Sequence, residues 1–277
     1  MMETFASIPQ GLVETLGLLK ISVSLVALHM IRFVTAMELL PATAEQVVNG
    51  SSRTGIAMLL AFFVAAGQPV DSLQGLSGGY IGLLAVKEMV IGLALGFSMS
   101  IAFWVVEFVG AIIDNAAGYN SVQLNDPLNG QQSTPVSNMM SKLAVAVFFS
   151  LGGMIFFAQA MFDSFKVWPL LALMPSGAAV TEMFFLNQLD SLFISTIKLA
   201  APFMLILFLI DLGLAILARS AEKLEPNNLA QPIKGILTIL MLSLFVSVAF
   251  DQLRQYLVPV NVIGQMVSKP TPPLVKP

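Results

Sequence analysis

Long apolar runs and short polar interruptions alternate along this chain. Leu143 to Phe162 is uncharged between Lys142 and Asp163, and Met89 to Val106 is uncharged between Glu88 and Glu107. Each run is long enough to cross a hydrocarbon core, which takes about 20 apolar residues. Thr54 to Val70, Leu199 to Ala218 and Gly235 to Phe250 are shorter or punctuated, the second by Asp211; Leu12 to Ile31 carries Glu14 and Lys20. The pattern predicts about six hydrophobic helices. Because the runs are continuous, without the every-other-residue alternation of a membrane barrel strand, the expected fold class is all-α: a polytopic helical membrane protein built from hairpins.

The polar interruptions divide the chain. The longest, Asp114 to Ser141, is rich in Asn, Gln, Ser and Gly, and at membrane depth such backbone must be covered by protein or water. A second, Lys166 to Asp190, holds Pro169, Pro175 and Gly177. These breaks predict an N-terminal helical block over 1–165, a connecting segment over 166–190 and a C-terminal helical hairpin over 191–258, whose turn contains Pro226 and Pro232. The proline-rich tail over 259–277 is expected to be extended or disordered. Lys and Arg counts give no orientation, since Arg32, Arg53, Lys142, Arg219, Lys223 and Lys234 fall on one side of six spans and Lys87, Lys166, Arg254, Lys269 and Lys276 on the other.

Composition narrows the chemistry. The 277 residues are 57% hydrophobic and 10% charged, against roughly 25% charged in a soluble domain. A net charge of −3 without charge blocks shows no nucleic-acid footprint, and lipid is the expected surrounding. Cysteine is absent and there is one histidine, which argues against thiolate chemistry and against zinc or iron sites, so no cofactor is expected. The start, MMETFASIPQ, lacks a basic leader, and the first helix is expected to stay in the mature protein.

Four groups of residues could carry function. Gly75-Leu-Ser77-Gly78-Gly79 has nucleophile-elbow spacing, but the one available base, His29, lies upstream; a flexible turn is the competing reading. Gly92, Gly96 and Ser100 form a small-residue stripe that lets another backbone approach closely, either from another subunit or from within the chain. Glu107 and Asp114, with Gly110 between them, share a helix face near the polar loop; they form a proton or ion site or a wet helix end. Lys198, Asp211 and Arg219 sit in or beside an apolar helix, where charge requires a partner or water. With Pro202 and Gly213, Asp211 could also serve a secondary transporter, although the polar loop and its GQQ have no counterpart in the second half of the chain.

The ordered runs KEMVIGLALGFSMSIAFWVVEFVGAIID, LNDPLNGQQSTP and DSFKVWP, then LAAPFMLILFLIDLGLAILARSAEKL and QPIKGILTIL, resemble the SctT/FliR family of type III secretion export proteins. Injectisome members usually carry an arginine shortly after the aspartate of the third helix; here the sequence reads Asp114-Asn-Ala-Ala-Gly118, so no role of that arginine transfers. The resemblance implies a noncatalytic inner-membrane subunit of the secretion basal body, favouring the injectisome over the flagellar branch. It implies a channel for unfolded substrates built with SctR (FliP-like) and SctS (FliQ-like), with SctU (FlhB-like) at the cytoplasmic mouth. The N-terminal part would look like SctR and the C-terminal hairpin like SctS. The loop after the third helix would contribute to the plug of the closed pore: Tyr119, Asn120, Ser121, Val122, Gln123, Leu124, Asn125, Asp126, Pro127, Gly130, Gln131 and Gln132.

Overall fold

The computed structural model describes residues 10–119, 124–125, 132–173, 183–220, 230, 232–240 and 242–243. Six helices follow in chain order: α1 (Gln10–Leu39), α2 (Gly50–Ala66), α3 (Gly78–Ala117), α4 (Pro135–Ser150), α5 (Gly153–Val167) and α6 (Met183–Ser220). Residues 232–240 are also helical. Among the described residues the fold is all-α apart from one two-residue strand pair, β1 (Leu124–Asn125) with β2 (Gln132–Ser133), antiparallel with Leu124 opposite Ser133.

Among the described residues, three helices are long and apolar enough to cross a membrane, over Thr15–Leu39, Gly78–Ala117 and Leu186–Leu217. The uncharged run from Leu143 to Phe162, expected as one span, is instead α4 and α5, bent by 73° at a short break; counted together they make a fourth. The break has a local cause, because Gly152 takes φ +73°, a conformation costly for any residue with a Cβ. At 17 residues, α2 is shorter than a typical span. The expected sixth run reaches beyond the described residues, as does the tail over 259–277.

The chain divides into two compact units. Unit 1 comprises residues 1–97 and 158–179, and unit 2 residues 98–157 and 180–277; α3 and α5 each contribute to both. In unit 1, Leu25, Leu28, Ala65, Leu73 and Leu170 form a buried cluster, flanked by Ile21, Val26, Ile31, Ile81 and Ala85. The buried positions of α1 continue through Phe33, Ala36 and Met37, the i, i+3, i+4 stripe of an amphipathic helix. In unit 2, Ile101, Ala102, Phe103, Val105, Val106, Val109 and Ile113 of α3 are buried, and Phe103 packs on Phe148 of α4 with ring centroids 5.4 Å apart.

Burial separates the two longest spans. In α3, 72% of the apolar window is buried within the chain, whereas in α6 only 17% is. The buried residues of α6 among those described form one stripe: Gln188, Leu192, Thr196, Ala200, Phe203 and Leu207. So α3 is a core helix, and most of the surface of α6 is left for lipid or other protein.

Candidate functional site

The polar groups embedded in these apolar helices are the candidate site, and they fall into separate clusters within each unit. In unit 1, Arg32 of α1 and Glu88 of α3 form a fully buried two-pronged ion pair, with Nε to Oε2 at 2.6 Å and Nη2 to Oε1 at 2.9 Å. Arg32 Nη1 also donates to Ser164 Oγ at 2.9 Å, and Nη2 donates to the Trp168 carbonyl at 3.0 Å. The guanidinium lies 3.8 Å from the Phe165 ring centroid. Lys87 binds Glu88 at 2.8 Å and donates to the carbonyls of Pro169, Leu170 and Ala172. Each of the three guanidinium nitrogens donates to an oxygen, which is what a charge excluded from water requires. The cluster thus ties α1, α3 and the chain just after α5 together. Sequence reasoning gave Lys87 and Glu88 no site role; the missed signal was two adjacent charges within a long apolar helix.

The small-residue stripe sits beside this cluster. A Cβ on Gly92 would collide with Thr35 Oγ1 and lie 2.5 Å from the Arg32 carbonyl oxygen; one on Gly96 would lie 2.6 Å from the Ala36 carbonyl oxygen. The close approach made by these two glycines is therefore to α1 of the same chain, the second of the two readings given above. Ser100, also expected on the stripe, is buried in unit 2.

In unit 2, Asp114 is buried, and its carboxylate accepts from the amides of Val136 at 3.1 Å and Ser137 at 2.9 Å. These are orphan donors of the first turn of α4. Thr134, at the N-cap position, makes no side-chain cap bond, so Asp114 caps α4 from another helix. Negative charge is favoured there by the helix dipole as well. Ser137 Oγ donates to the Glu107 carbonyl at 3.2 Å, and a Cβ on Gly110 would come within 2.6 Å of Ser137 Cα. Glu107, Gly110 and Asp114 thus share one face, as their spacing predicts. Of the two carboxylates read as a wet helix end, only Glu107 is partly exposed, because Asp114 is covered by the start of α4.

This junction brackets the loop expected to form the plug. The chain leaves α3 at Gly118, with φ +82°, and returns through β2 into α4. Tyr119 is half-buried, and its hydroxyl touches the position where a Cβ on Gly235 would be. Leu124, Asn125 and Gln132 lie in the strand pair, whereas Asn120, Ser121, Val122, Gln123, Asp126, Pro127, Gly130 and Gln131 lie outside the described residues.

The remaining charges lie on α6. Asp211 pairs with Lys234 at 2.6 Å, and Lys234 also donates to the Ala116 carbonyl at 3.0 Å, linking α6, helical residues 232–240 and the end of α3. Lys234 had been noted only as a loop charge. Lys198, Asp211 and Arg219, expected among the buried polar groups, are all exposed, although Asp211 keeps Lys234 as its partner, because the described residues that pack on α6 cover one stripe of it.

The elbow and its base are placed in unrelated roles. Ser77 Oγ accepts from the Tyr80 amide at 3.3 Å, as an N-cap at the start of α3 does. His29 is buried, its Nδ1 lies 2.8 Å from the Leu25 carbonyl oxygen, and its ring centroid is 5.0 Å from that of Phe165. Among the described residues, no group of three or more His, Asp or Glu could hold a metal ion.

Comparison with known proteins shows the family. The chain is 32% identical over 218 residues to Yop proteins translocation protein T of Yersinia pestis, covering 77% of this chain and 82% of that one. It is 28% identical over 197 residues to surface presentation of antigens protein SpaR of Shigella flexneri, covering 70% and 75%. It is 27% identical over 200 residues to flagellar biosynthetic protein FliR of Escherichia coli K12, covering 71% and 74%. Residues 23–258 match bacterial export proteins, family 1, a span that includes the Arg32–Glu88 cluster, the Asp114 cap and the Asp211–Lys234 pair, and the chain belongs to this family, that of SctT and FliR.

Proposed function

We propose that this chain is a noncatalytic structural subunit of a type III secretion export gate in the bacterial inner membrane. With SctR-like and SctS-like subunits it forms the channel through which unfolded proteins leave the cytoplasm, and an SctU-like subunit sits at the cytoplasmic mouth. The C-terminal hairpin over 191–258 takes the SctS-like place, and the loop from Tyr119 to Gln132 helps to plug the closed pore. The observation that carries this reading is the family match over residues 23–258, joined to an apolar helix, α6, that its own chain leaves largely uncovered. The higher identity to a Yersinia translocation protein than to a flagellar one favours the injectisome branch. The polar clusters are consistent with scaffolding, because their charges are engaged by protein groups rather than offered to a substrate: Asp211 by Lys234 and Glu88 by Arg32 and Lys87.

The test is purification of the tagged full-length chain from cell envelopes that contain its export partners. The expected result is a large complex in which this chain is a minority component beside SctR-like and SctS-like subunits. Recovery as a stable, monodisperse lone protein under the same conditions would sink the proposal.

A further inference from the structure

The loop from Tyr119 to Gln132 stands between two helix ends, and each end is held by a charged side chain from elsewhere in unit 2. At α4 the holder is Asp114. At α3 it is Lys234, whose Nζ donates to the Ala116 carbonyl at 3.0 Å while pairing with Asp211 at 2.6 Å. Ala116 belongs to the last turn of a helix that ends at Ala117, where carbonyls lack an intrahelical donor and the helix dipole favours a cation. Lys234 is itself buried, so water competes little for this bond. The next residue makes a second contact. Gly235 has no side chain, and the Tyr119 hydroxyl occupies the place its Cβ would take, with the ring carbon Cζ 3.8 Å from that place. Residues 234 and 235 thus grip both the last turn of α3 and the first residue of the loop. Between the two gripped points lies Gly118, whose φ of +82° turns the chain out of the helix.

Resting on the reading of this loop as a plug, we propose that helical residues 232–240 hold the root of the loop in its sealing position, with Lys234 and Gly235 as the positioning residues. Lys234 fixes the end of α3 through its bond to the Ala116 carbonyl, and Asp211 of α6 holds the ammonium in place for it. Gly235 admits Tyr119 because it has no Cβ. The seal is then coupled to the C-terminal part of the chain: a shift of residues 232–240 carries the loop root with it.

The experiment uses the full chain co-produced with its export partners and purified as the complex, with the assembled fraction on native gels as the control. It reads hydrogen exchange at the Gly118 amide, which bonds to the Asn115 carbonyl at 3.2 Å, and ion flux through vesicles holding the complex. Lys234→Met takes the cation from the helix end and is expected to speed Gly118 exchange by about threefold or more. Flux should rise by about the same factor, because it follows the fraction of complexes whose loop root is released. Lys234→Arg keeps a donor for both oxygens and is expected to stay within about twofold of wild type on both readings. Gly235→Ala puts a methyl where the Tyr119 hydroxyl lies and is expected to raise flux as Lys234→Met does. Adding Tyr119→Phe to Gly235→Ala should return flux to the wild-type level, because the ring without its hydroxyl then meets the methyl at an ordinary contact distance. Unchanged Gly118 exchange in Lys234→Met overturns the proposal. So does a tight Gly235→Ala complex, a Gly235→Ala leak that Tyr119→Phe leaves in place, or a loss of assembly in either single variant. If Lys234→Met speeds exchange without raising flux, a complex with Asn120 to Leu124 replaced by a few glycines decides between the two readings. A leak there means that the root does not set the seal and the proposal falls, whereas a tight complex overturns the plug reading instead.

Discussion

At the residue scale, the apolar surroundings make each embedded polar group an all-or-nothing matter of partners. Arg32 and Glu88 are both fully buried, and removing one member of such a pair leaves the other charge without compensation, at a cost of about 3–5 kcal/mol. Arg32→Ala is therefore expected to lower the thermal unfolding temperature of the purified chain strongly. The double replacement Arg32→Met with Glu88→Met should cost less than Arg32→Ala, because no carboxylate is then left stranded; a double variant that is the less stable of the two would contradict this account. Gly96 gives a second prediction at this scale. Any side chain there meets the backbone of Ala36 rather than a movable side-chain tip, so Gly96→Leu forces α1 and α3 apart, with an overpacking cost of about 1–3 kcal/mol or more. The loss should appear in the stability of the isolated chain in detergent, before any partner is added. The glycine spacing was legible in the sequence; which helix it admits was not, since spacing defines a groove without naming what lies in it.

At the scale of elements, the junction between α3 and α4 is held by a contact that no local pattern announces. Asp114 caps a helix whose first residue is 21 positions away, whereas Thr134, the residue type that ordinarily caps, makes no side-chain cap bond. Asp114→Ala is expected to destabilise the first turn of α4 by about 0.5–2 kcal/mol, read as faster hydrogen exchange at the Val136 and Ser137 amides. Adding Thr134→Asp should restore protection, because a local carboxylate reaches the same amides; unchanged exchange in Asp114→Ala would show that the cap carries no weight. The loop that follows α3 gives a prediction about the seal. Shortening Asn120 to Leu124 to a few glycines should leave the complex assembled and make membranes leaky to small ions, measured as ion flux in vesicles holding the complex. A shortened complex as tight as wild type would show that the loop lies outside the seal.

At the scale of the whole molecule, the uneven covering of its spans predicts how the chain behaves alone. With so little of α6 buried by its own chain, the chain produced without partners is expected to be polydisperse in detergent, and SctR-like and SctS-like partners should rescue it; size-exclusion chromatography of both preparations reads the difference. Apolar runs about as long as a hydrocarbon core is thick determined, from the sequence alone, that the chain is helical and membrane-embedded, because backbone in hydrocarbon must satisfy its own hydrogen bonds. The ordered motifs between those runs carried the family resemblance. The tertiary structure decided what a one-dimensional pattern does not contain: that the run from Leu143 to Phe162 bends at Gly152, that Gly92 and Gly96 admit α1 of their own chain, and that Asp114 caps α4. It also decided which charges meet, since Arg32 and Glu88 are 56 positions apart and hydropathy prices each charge separately. Attraction between two charges depends on their distance in space, and only the packed helices set that distance.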